Sequence, residues 1–291
     1  MYTLAEKRGV RLLRAFIKWY KGDGIFSKAW GYDLKKGGWY KLTNVKADYA
    51  QDKITPKLFK NLKRKIQRDI GLNNELEMNL KFNNKAHIAK IFKKFVPQTF
   101  FIKNQTEFLK ALEKIKSEKA VLKPIIGSGG FGIKIKKKEK LAKRKLQKNK
   151  EYVLQEFIDT SNGIKGLTKN THDFRIVVIN GKPLYSYIRT PRRGGFLANL
   201  HQGGSMQNVK ISQIPKEALE ILKEVDSKLK KFKPRFYTVD VFFGKEKAYL
   251  IEVNTMPGMY FNKNERRLQI KVYKKIIDTF RRGAIKSSKK L

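Results

Sequence analysis

The chain has 291 residues, 67 Lys and Arg against 25 Asp and Glu, a formal net charge of +42 and no cysteine. Without cysteine there are no disulfides, no thiol catalysis and no Cys-ligated zinc, and three histidines (His87, His172, His201) argue against a His-rich metal site. No run reaches the ~18 apolar residues of a membrane span, and the opening Met1 to Arg8 lacks the apolar stretch of a secretory leader, so the expected location is cytoplasmic.

Apolar residues at 41% and aromatics at 12% predict a folded core. The charge attracts polyanions: nucleic acid, an anionic membrane surface, nucleotides or acidic peptides. A+T-biased coding would also yield this richness in Lys, Asn, Ile and Phe with no partner, so charge alone selects no function.

Leu12, Leu13, Phe16, Ile17 and Tyr20 recur at helical spacing, predicting a basic amphipathic helix over 4–20. The Gly-, Trp- and Tyr-rich stretch from Gly22 to Tyr40 predicts turns and short strands, its rings belonging to the core and not to a ligand platform. Thr55 and Pro56 predict a helix start, with Leu58, Phe59, Leu62, Ile66 and Ile70 on one face and Gly71 as its stop. Residues 1–82 read as a small N-terminal unit.

From Asn84 the pattern changes. A helix over 85–95 precedes a strand over 98–102, and Asn104 with Glu107 forms a capping box. Strands follow over 120–124 and 133–137, then a basic helix over 139–150 and a strand over 152–158. Asn180-Gly181 joins two strands, 173–179 and 182–189, as a tight hairpin. A glycine-rich loop spans 191–204, a helix runs from Pro215 to about Phe232, and a last helix covers about 264–280 before a frayed tail. Hairpins alternating with separate helices predict an α+β fold. One lobe spans 83–155 and carries a glycine flap; a second spans 156–291.

Gly127-Ser-Gly-Gly-Phe-Gly132 formally matches a dinucleotide fingerprint, but that motif needs a helix directly after the loop. Here the period-two run Ile133-Lys-Ile-Lys136 follows. A flap between two strands predicts backbone N–H groups laid over a triphosphate, drawn from Gly127, Ser128, Gly129, Gly130, Phe131 and Gly132. Lys123 ends the preceding strand, placed to meet phosphate. The catalytic tripeptides of a protein kinase are absent. Gln155, Glu156, Phe157 and Ile158 read as the connector facing adenine, and Asp159 as a candidate for the ribose.

Tyr237 to Asn254 reads as a hairpin turning over Gly244 to Lys247. Glu252 and Asn254, two residues apart, share a face, with Asp240 opposite on the paired strand. Two carboxylates and an amide oxygen suit a hard divalent cation.

The ordered set Lys85, Val-Leu-Lys123-Pro, Gly127 to Gly132, Leu-Gln-Glu-Phe-Ile158, Asp173-Phe-Arg175, Arg189, Asn199, Asp240 and Glu252-Val-Asn254 resembles the ATP-grasp superfamily. Within it the chain is most similar to bacterial glutathione synthetase and the ligases that add glutamate to ribosomal protein; the resemblance covers about residues 83–262. It implies an ATP-dependent carboxylate–amine ligase working through an acyl phosphate, with ATP between two α+β lobes. Lys85 and Lys123 would contact phosphates, and Gln155, Glu156 and Ile158 adenine. Arg175, Arg189 and Asn199 would steady the acyl phosphate; Asp240, Glu252 and Asn254 would carry two Mg²⁺, with Mn²⁺ as a substitute. Residues 1–82 lack the alternating N-terminal domain usual in that family. Basic loops at 136–138 and 192–193 suit an acidic peptide acceptor or are solvated faces. The rival expectations are a nucleic-acid or polyanion binder on a degenerate scaffold and a small-molecule kinase.

Overall fold

Backbone hydrogen bonding settles the N-terminal region differently from its side-chain spacing. The computed structural model describes residues 1–127, 129–196, 198 and 203–288. They form two compact units, one of residues 1–80 with 231–236 and 256–291, the other of residues 81–230 with 237–255.

The first unit begins with α1 (Tyr2–Glu6), β1 (Tyr20–Gly22), β2 (Ile25–Asp33), β3 (Gly38–Lys46), β4 (Ala50–Gln51), α2 (Lys60–Ile70), β5 (Leu72–Asn73) and the first residues of α3 (Leu76–Phe82). The helix expected over 4–20 is not formed. Gly9 is left-handed at φ +67 after the one-turn α1, and Arg14 instead forms an antiparallel bridge with Trp30 (N···O 2.9 and 2.7 Å). Pairing with β2 thus takes the amides that the leucine spacing assigned to a helix. The meander β1-β2-β3 is antiparallel. Its rings are not all core, contrary to expectation: Trp30, Trp39 and Tyr40 are 40%, 42% and 37% exposed. Ile17, Tyr20, Phe26, Ile66, Ile70 and Leu72 form the core instead.

Helix α2 starts at Lys60, later than Thr55-Pro56 predicts. Lys63 Nζ binds the carbonyls of Ile54 and Thr55, both at 2.9 Å, and so holds that segment as a turn. Gly71, at φ +79, ends the helix as expected, donating to Gln67 O.

In the second unit α4 (Lys85–Ile91), β6 (Thr99–Ile102), α5 (Gln105–Lys114), β7 (Lys119–Pro124), β8 (Lys134–Lys137), α6 (Lys138–Ala142) and β9 (Tyr152–Glu156) come first. Asn104 caps α5, accepting from Glu107 N at 2.8 Å, while the Glu107 carboxylate accepts from Lys103 N. The antiparallel sheet β6-β9-β7-β8 packs its apolar residues around Phe108, Leu112, Leu122, Leu141 and Leu154. Helix α6 is five residues long, not twelve. Leu141 is its one buried residue, and the Lys and Arg that follow at 143, 144, 145 and 148 repel one another at helical spacing.

The second sheet is built from β10 (Asp173–Ile179), β11 (Lys182–Thr190), β12 (Ser205–Val209), β13 (Phe236–Phe243) and β14 (Ala248–Asn254), ordered β12-β11-β10-β13-β14. Asn180 and Gly181 turn the first hairpin at φ +50 and +82, the left-handed pair of a type I′ turn. The second hairpin closes over Gly244 and Lys247 (N···O 3.0 Å), as predicted. Strand β12 has no counterpart among the predicted strands, since only Val209 of its five residues is buried. Helix α7 (Lys216–Leu229) buries Ala218, Ile221, Leu222 and Val225.

The C-terminal helix α8 (Arg266–Ser288) packs on α1, α2 and β5. It runs beyond the predicted end at Phe280, so 281–288 is helix and not a frayed tail. Buried Gly283 explains this: a Cβ there would sit 2.4 Å from the Tyr49 ring, so the bare backbone docks closely. The predicted α+β class is what the structure shows.

Candidate active site

Asn84 starts the site. Its side chain accepts from the amides of Ala86 and His87 at 3.0 and 3.1 Å, fixing the first turn of α4 with Lys85 at its head. The Lys85 amide binds Ile125 O at 3.0 Å. Lys85 Nζ then reaches Gly127 O at 2.8 Å and Glu252 Oε1 at 2.9 Å. One lysine therefore ties the root of the glycine loop to the acidic strand β14.

Lys123 is buried at the end of β7 and donates to Gln155 Oε1 at 2.7 Å; Gln155 in turn donates to Thr99 Oγ1 at 2.8 Å. Burial, with the Lys85 charge adding and Glu252 opposing, pushes the Lys123 ammonium down to about 8. An amide oxygen is a weak counter-charge for a buried ammonium, so the charge of Lys123 is left largely uncompensated by its neighbours.

Between β7 and β8 lies the glycine loop, a strand–loop–strand flap as predicted (Leu122 pairs with Lys134). Gly129, Gly130 and Gly132 have φ of +68, +78 and +77. Phe131 at its tip is 75% exposed. One cavity is lined by Lys85, Lys123, Gly127, Gly130, Phe131 and Glu252 together. Ser128 lies outside the described residues.

Gln155, Glu156, Phe157, Ile158 and Asp159 do not line this cavity. The Phe157 amide donates to Ser117 Oγ at 3.2 Å, the Glu156 amide to Gln98 O at 2.9 Å, and Asp159 accepts from Ser161 N at 2.9 Å. The Phe157 ring meets Phe196 edge-on at 5.2 Å, with Lys119 Nζ 5.1 Å from the Phe196 ring centroid.

Strand register assembles a second cluster on the five-stranded sheet. Asp173 faces Arg189 and Arg175 faces Tyr187 across β10–β11; Asp240 faces Glu252 and Thr238 faces Asn254 across β13–β14. Arg175 donates to Asp240 from Nε at 2.6 Å and from Nη2 to the other oxygen; Arg189 Nη2 donates to Asp240 at 2.9 Å and also to Asp173. Burial would raise the Asp240 carboxyl, but the two guanidinium groups override it and hold it below the usual range. Asp173 is pushed up to about 6, because burial and the Asp240 charge outweigh Arg189. The Tyr187 hydroxyl is buried beside these groups.

Register sets Asp240 opposite Glu252, with Asn254 two residues further along β14 opposite Thr238, so the three oxygen-bearing side chains expected at a metal lie on neighbouring positions of one hairpin. Both Asp240 oxygens accept from arginine and one Glu252 oxygen meets Lys85. No group of three His, Cys, Asp or Glu suited to a metal occurs among the described residues. Asn199 falls outside the described residues. Asp173, Tyr187, Thr238 and Thr99 carry no assignment from sequence reasoning. Three of them were findable by a simple signal, each standing two residues before an assigned residue in an otherwise apolar strand.

No helix among the described residues is long and apolar enough to cross a membrane. A probable alpha-L-glutamate ligase of Cellvibrio japonicus is 28% identical over 168 residues, 56% of this chain and 51% of that protein. The chain thus spans about half the length of the curated relatives it matches. In fold it is similar to a RimK domain ATP-grasp protein of Sphaerobacter thermophilus (TM-score 0.60, 14% identity, 81% of this chain and 82% of that one). It is also similar to the VanG D-Ala:D-Ser ligase of Enterococcus faecalis (TM-score 0.61, 15% identity, 88% and 80%). A family model for the RimK-like ATP-grasp domain matches residues 81–280, more than half of the chain and all of the site just described, and the chain belongs to that family.

Proposed function

We propose that this chain is an ATP-dependent carboxylate–amine ligase that forms an amide bond through an acyl phosphate. The single observation carrying the reading is the convergence of Lys85, Lys123 and Glu252 beneath the glycine flap in one cavity. A phosphoryl-transfer site needs positioning and charge neutralisation more than a covalent nucleophile, and a chain without cysteine can supply both.

The triphosphate enters between Lys85 and Lys123, and the flap amides of Gly127 to Gly132 close over it. The substrate carboxylate attacks the γ-phosphorus; the bond to the bridging oxygen breaks and ADP departs. The amine then attacks the acyl carbon, gives up a proton and expels inorganic phosphate. Arg175 and Arg189, buried and oriented by their hydrogen bonds to Asp240, would steady the acyl phosphate oxygens with their charge and the donors those bonds leave over, with Asn199 as the third contact. Gln155, Glu156, Phe157 and Ile158 border the adenine, and Asp159 the ribose. Glu252 and Asn254, with Asp240 facing them across the hairpin, would hold two Mg²⁺ or Mn²⁺, which neutralise phosphate charge when bound. The nucleotide in this reading lies between the lobe of residues 83–155 and the lobe beginning at residue 156, and the reaction runs in the cytoplasm, where ATP is.

Glutamate, named in the relatives' descriptions, is the first amine to test. The exposed Arg192 and Arg193 suit an acidic peptide as its carboxylate partner. The deciding assay incubates the chain with Mg-ATP, glutamate and acidic peptides, following ADP release and a mass gain of one residue. Hydroxylamine added in place of the amine should trap a hydroxamate. Glu252→Gln should abolish ADP formation with the fold intact. A phosphate ester in place of a hydroxamate, or full turnover by the variant, would reject the reading.

A further inference from the structure

Residues 1–80 lie outside the matched ATP-grasp domain, yet they hold all three tryptophans of the chain, Trp19, Trp30 and Trp39. Register places Lys28, Trp30 and Tyr32 of β2 opposite Thr43, Lys41 and Trp39 of β3, so these six share one face of the meander. Trp30 and Trp39 are exposed on it, as are Lys28 and Lys41. The Arg14 guanidinium lies over the Trp39 ring, 4.3 Å from its centroid.

Residues 1–46 contain eleven Lys and Arg but three Asp and Glu. Asp33, the one acid on β2 and β3, is turned to the amides of Lys35 and Lys36 at 2.8 and 3.0 Å. The face therefore offers two half-exposed indoles, that of Trp39 covered on one side by Arg14 and edged by Tyr2 and Tyr32, flanked by cations that no acid among the described residues pairs with. An unused apolar face of this kind would ordinarily be covered by core; here charge surrounds it.

We propose that this face of the β1-β2-β3 sheet docks single-stranded nucleic acid, with bases stacked on Trp30 and Trp39 and phosphates on Arg14, Lys28 and Lys41. The chemistry selects the occupant. An acidic peptide would satisfy the cations but has no flat group for the rings. An apolar partner would bury the cations unpaired, at large desolvation cost. A duplex keeps its base faces stacked inside. Single strands bring both a ring face and a phosphate at each step. Trp30 and Tyr32 project from β2 about 6.6 Å apart, twice the ~3.4 Å rise of stacked bases, so bound bases are splayed.

The test titrates the full chain into a fluorescein-labelled oligothymidylate of about 15 nucleotides, reading the label's anisotropy for every variant and intrinsic tryptophan fluorescence for the parent and the lysine pair. Quenching is expected, with affinity falling linearly in log salt. Trp30→Ala with Trp39→Ala should weaken binding at least about tenfold. Lys28→Gln with Lys41→Gln should keep the quenching but lower the salt slope by about 1.4, two phosphates' worth for a single strand. Melting curves accompany each variant; if the alanine pair melts early, the lysine pair alone decides. Unchanged affinity in the folded alanine pair, an unchanged slope in the lysine pair, or equal quenching by a poly-glutamate of matched length would overturn the assignment, the last pointing to an acidic peptide.

Discussion

Lys63 and Lys123 are both buried, one in each unit, and they have opposite surroundings. Lys63 Nζ donates to the carbonyls of Ile54 and Thr55 at 2.9 Å and pairs its charge with Asp52 Oδ2 at 2.8 Å. Lys123 Nζ has one hydrogen bond among the described residues, to the neutral Gln155, and a like charge in Lys85 nearby. A satisfied buried lysine fixes the chain around it. An under-satisfied one that lines a cavity is the kind of group the proposed reading gives to phosphate. Sequence treats the two alike; only the acceptors around each ammonium separate scaffold from site.

Lys63→Met should break the comparison hardest. It strands the Asp52 carboxylate, which is held otherwise by the Ile54 amide at 2.8 Å, and loosens residues 52–55. Loss of one partner of a buried pair costs about 3–5 kcal/mol, to be read as a lower denaturant midpoint. The fraction still folded should turn over ATP normally. In Lys123→Met the effects are reversed: ADP formation falls about 10²–10³-fold, as when one electrostatic donor is removed from a transition state, while the melting temperature holds or rises. Should Lys123→Met unfold the chain, Lys123 belongs with Lys63 as scaffold.

This contrast also marks how far the residues alone could speak. Lys85, Lys123, the glycines and Glu252 were legible because each stands at the end of a clear element: a capped helix, a strand, a flap, a hairpin strand. Strand alternation put Glu252 beside Asn254 and across from Asp240, and the register agrees. What alternation could not give was the guanidinium cluster, since Arg175 and Arg189 reach Asp240 only once β10 and β13 are neighbours in the sheet. Strand order is a long-range property that no local period encodes. The N-terminal misreading has the same origin. Leu12, Leu13 and Phe16 do have helical spacing, but the bridge from Arg14 to Trp30 is decided sixteen residues away.

Acid and base sharpen the lysine comparison by a smaller amount. Lys123 is charged in the folded chain below about pH 8 and in the unfolded chain up to its ordinary value near 10.4. Between those limits the unfolded state binds the extra proton, so stability rises with pH across that window. Nucleotide affinity runs the other way: if the charged ammonium is the form that binds phosphate, affinity drops by up to about tenfold for each pH unit above 8. Isothermal titration with an ATP analogue at pH 7, 8 and 9 reads this directly, and proton uptake should accompany binding at pH 9. Lys123→Met should flatten both profiles.

The glycines repeat the division at the lowest amplitude. Gly71 and Gly132 share a left-handed backbone, φ +79 and +77. A Cβ on Gly71 would sit 2.2 Å from Ser287 Oγ and 3.1 Å from the Tyr49 ring, inside a packed joint of the first unit. One on Gly132 would sit 2.9 Å from Pro124 Cγ at the base of the flap. Each alanine costs about 1–2 kcal/mol in left-handed strain alone. In Gly71→Ala that energy comes out of global stability and lowers the melting temperature by several degrees, roughly 2–4 °C per kcal/mol for a chain of this size. In Gly132→Ala the flap can relax into solvent, so melting should stay within about a degree of the parent while the KM for ATP rises several-fold, because the amides over the phosphates are displaced. Equal melting losses in the two variants would mean that the flap is packed as firmly as the joint, and the case for a lid closing over a triphosphate would fail with it.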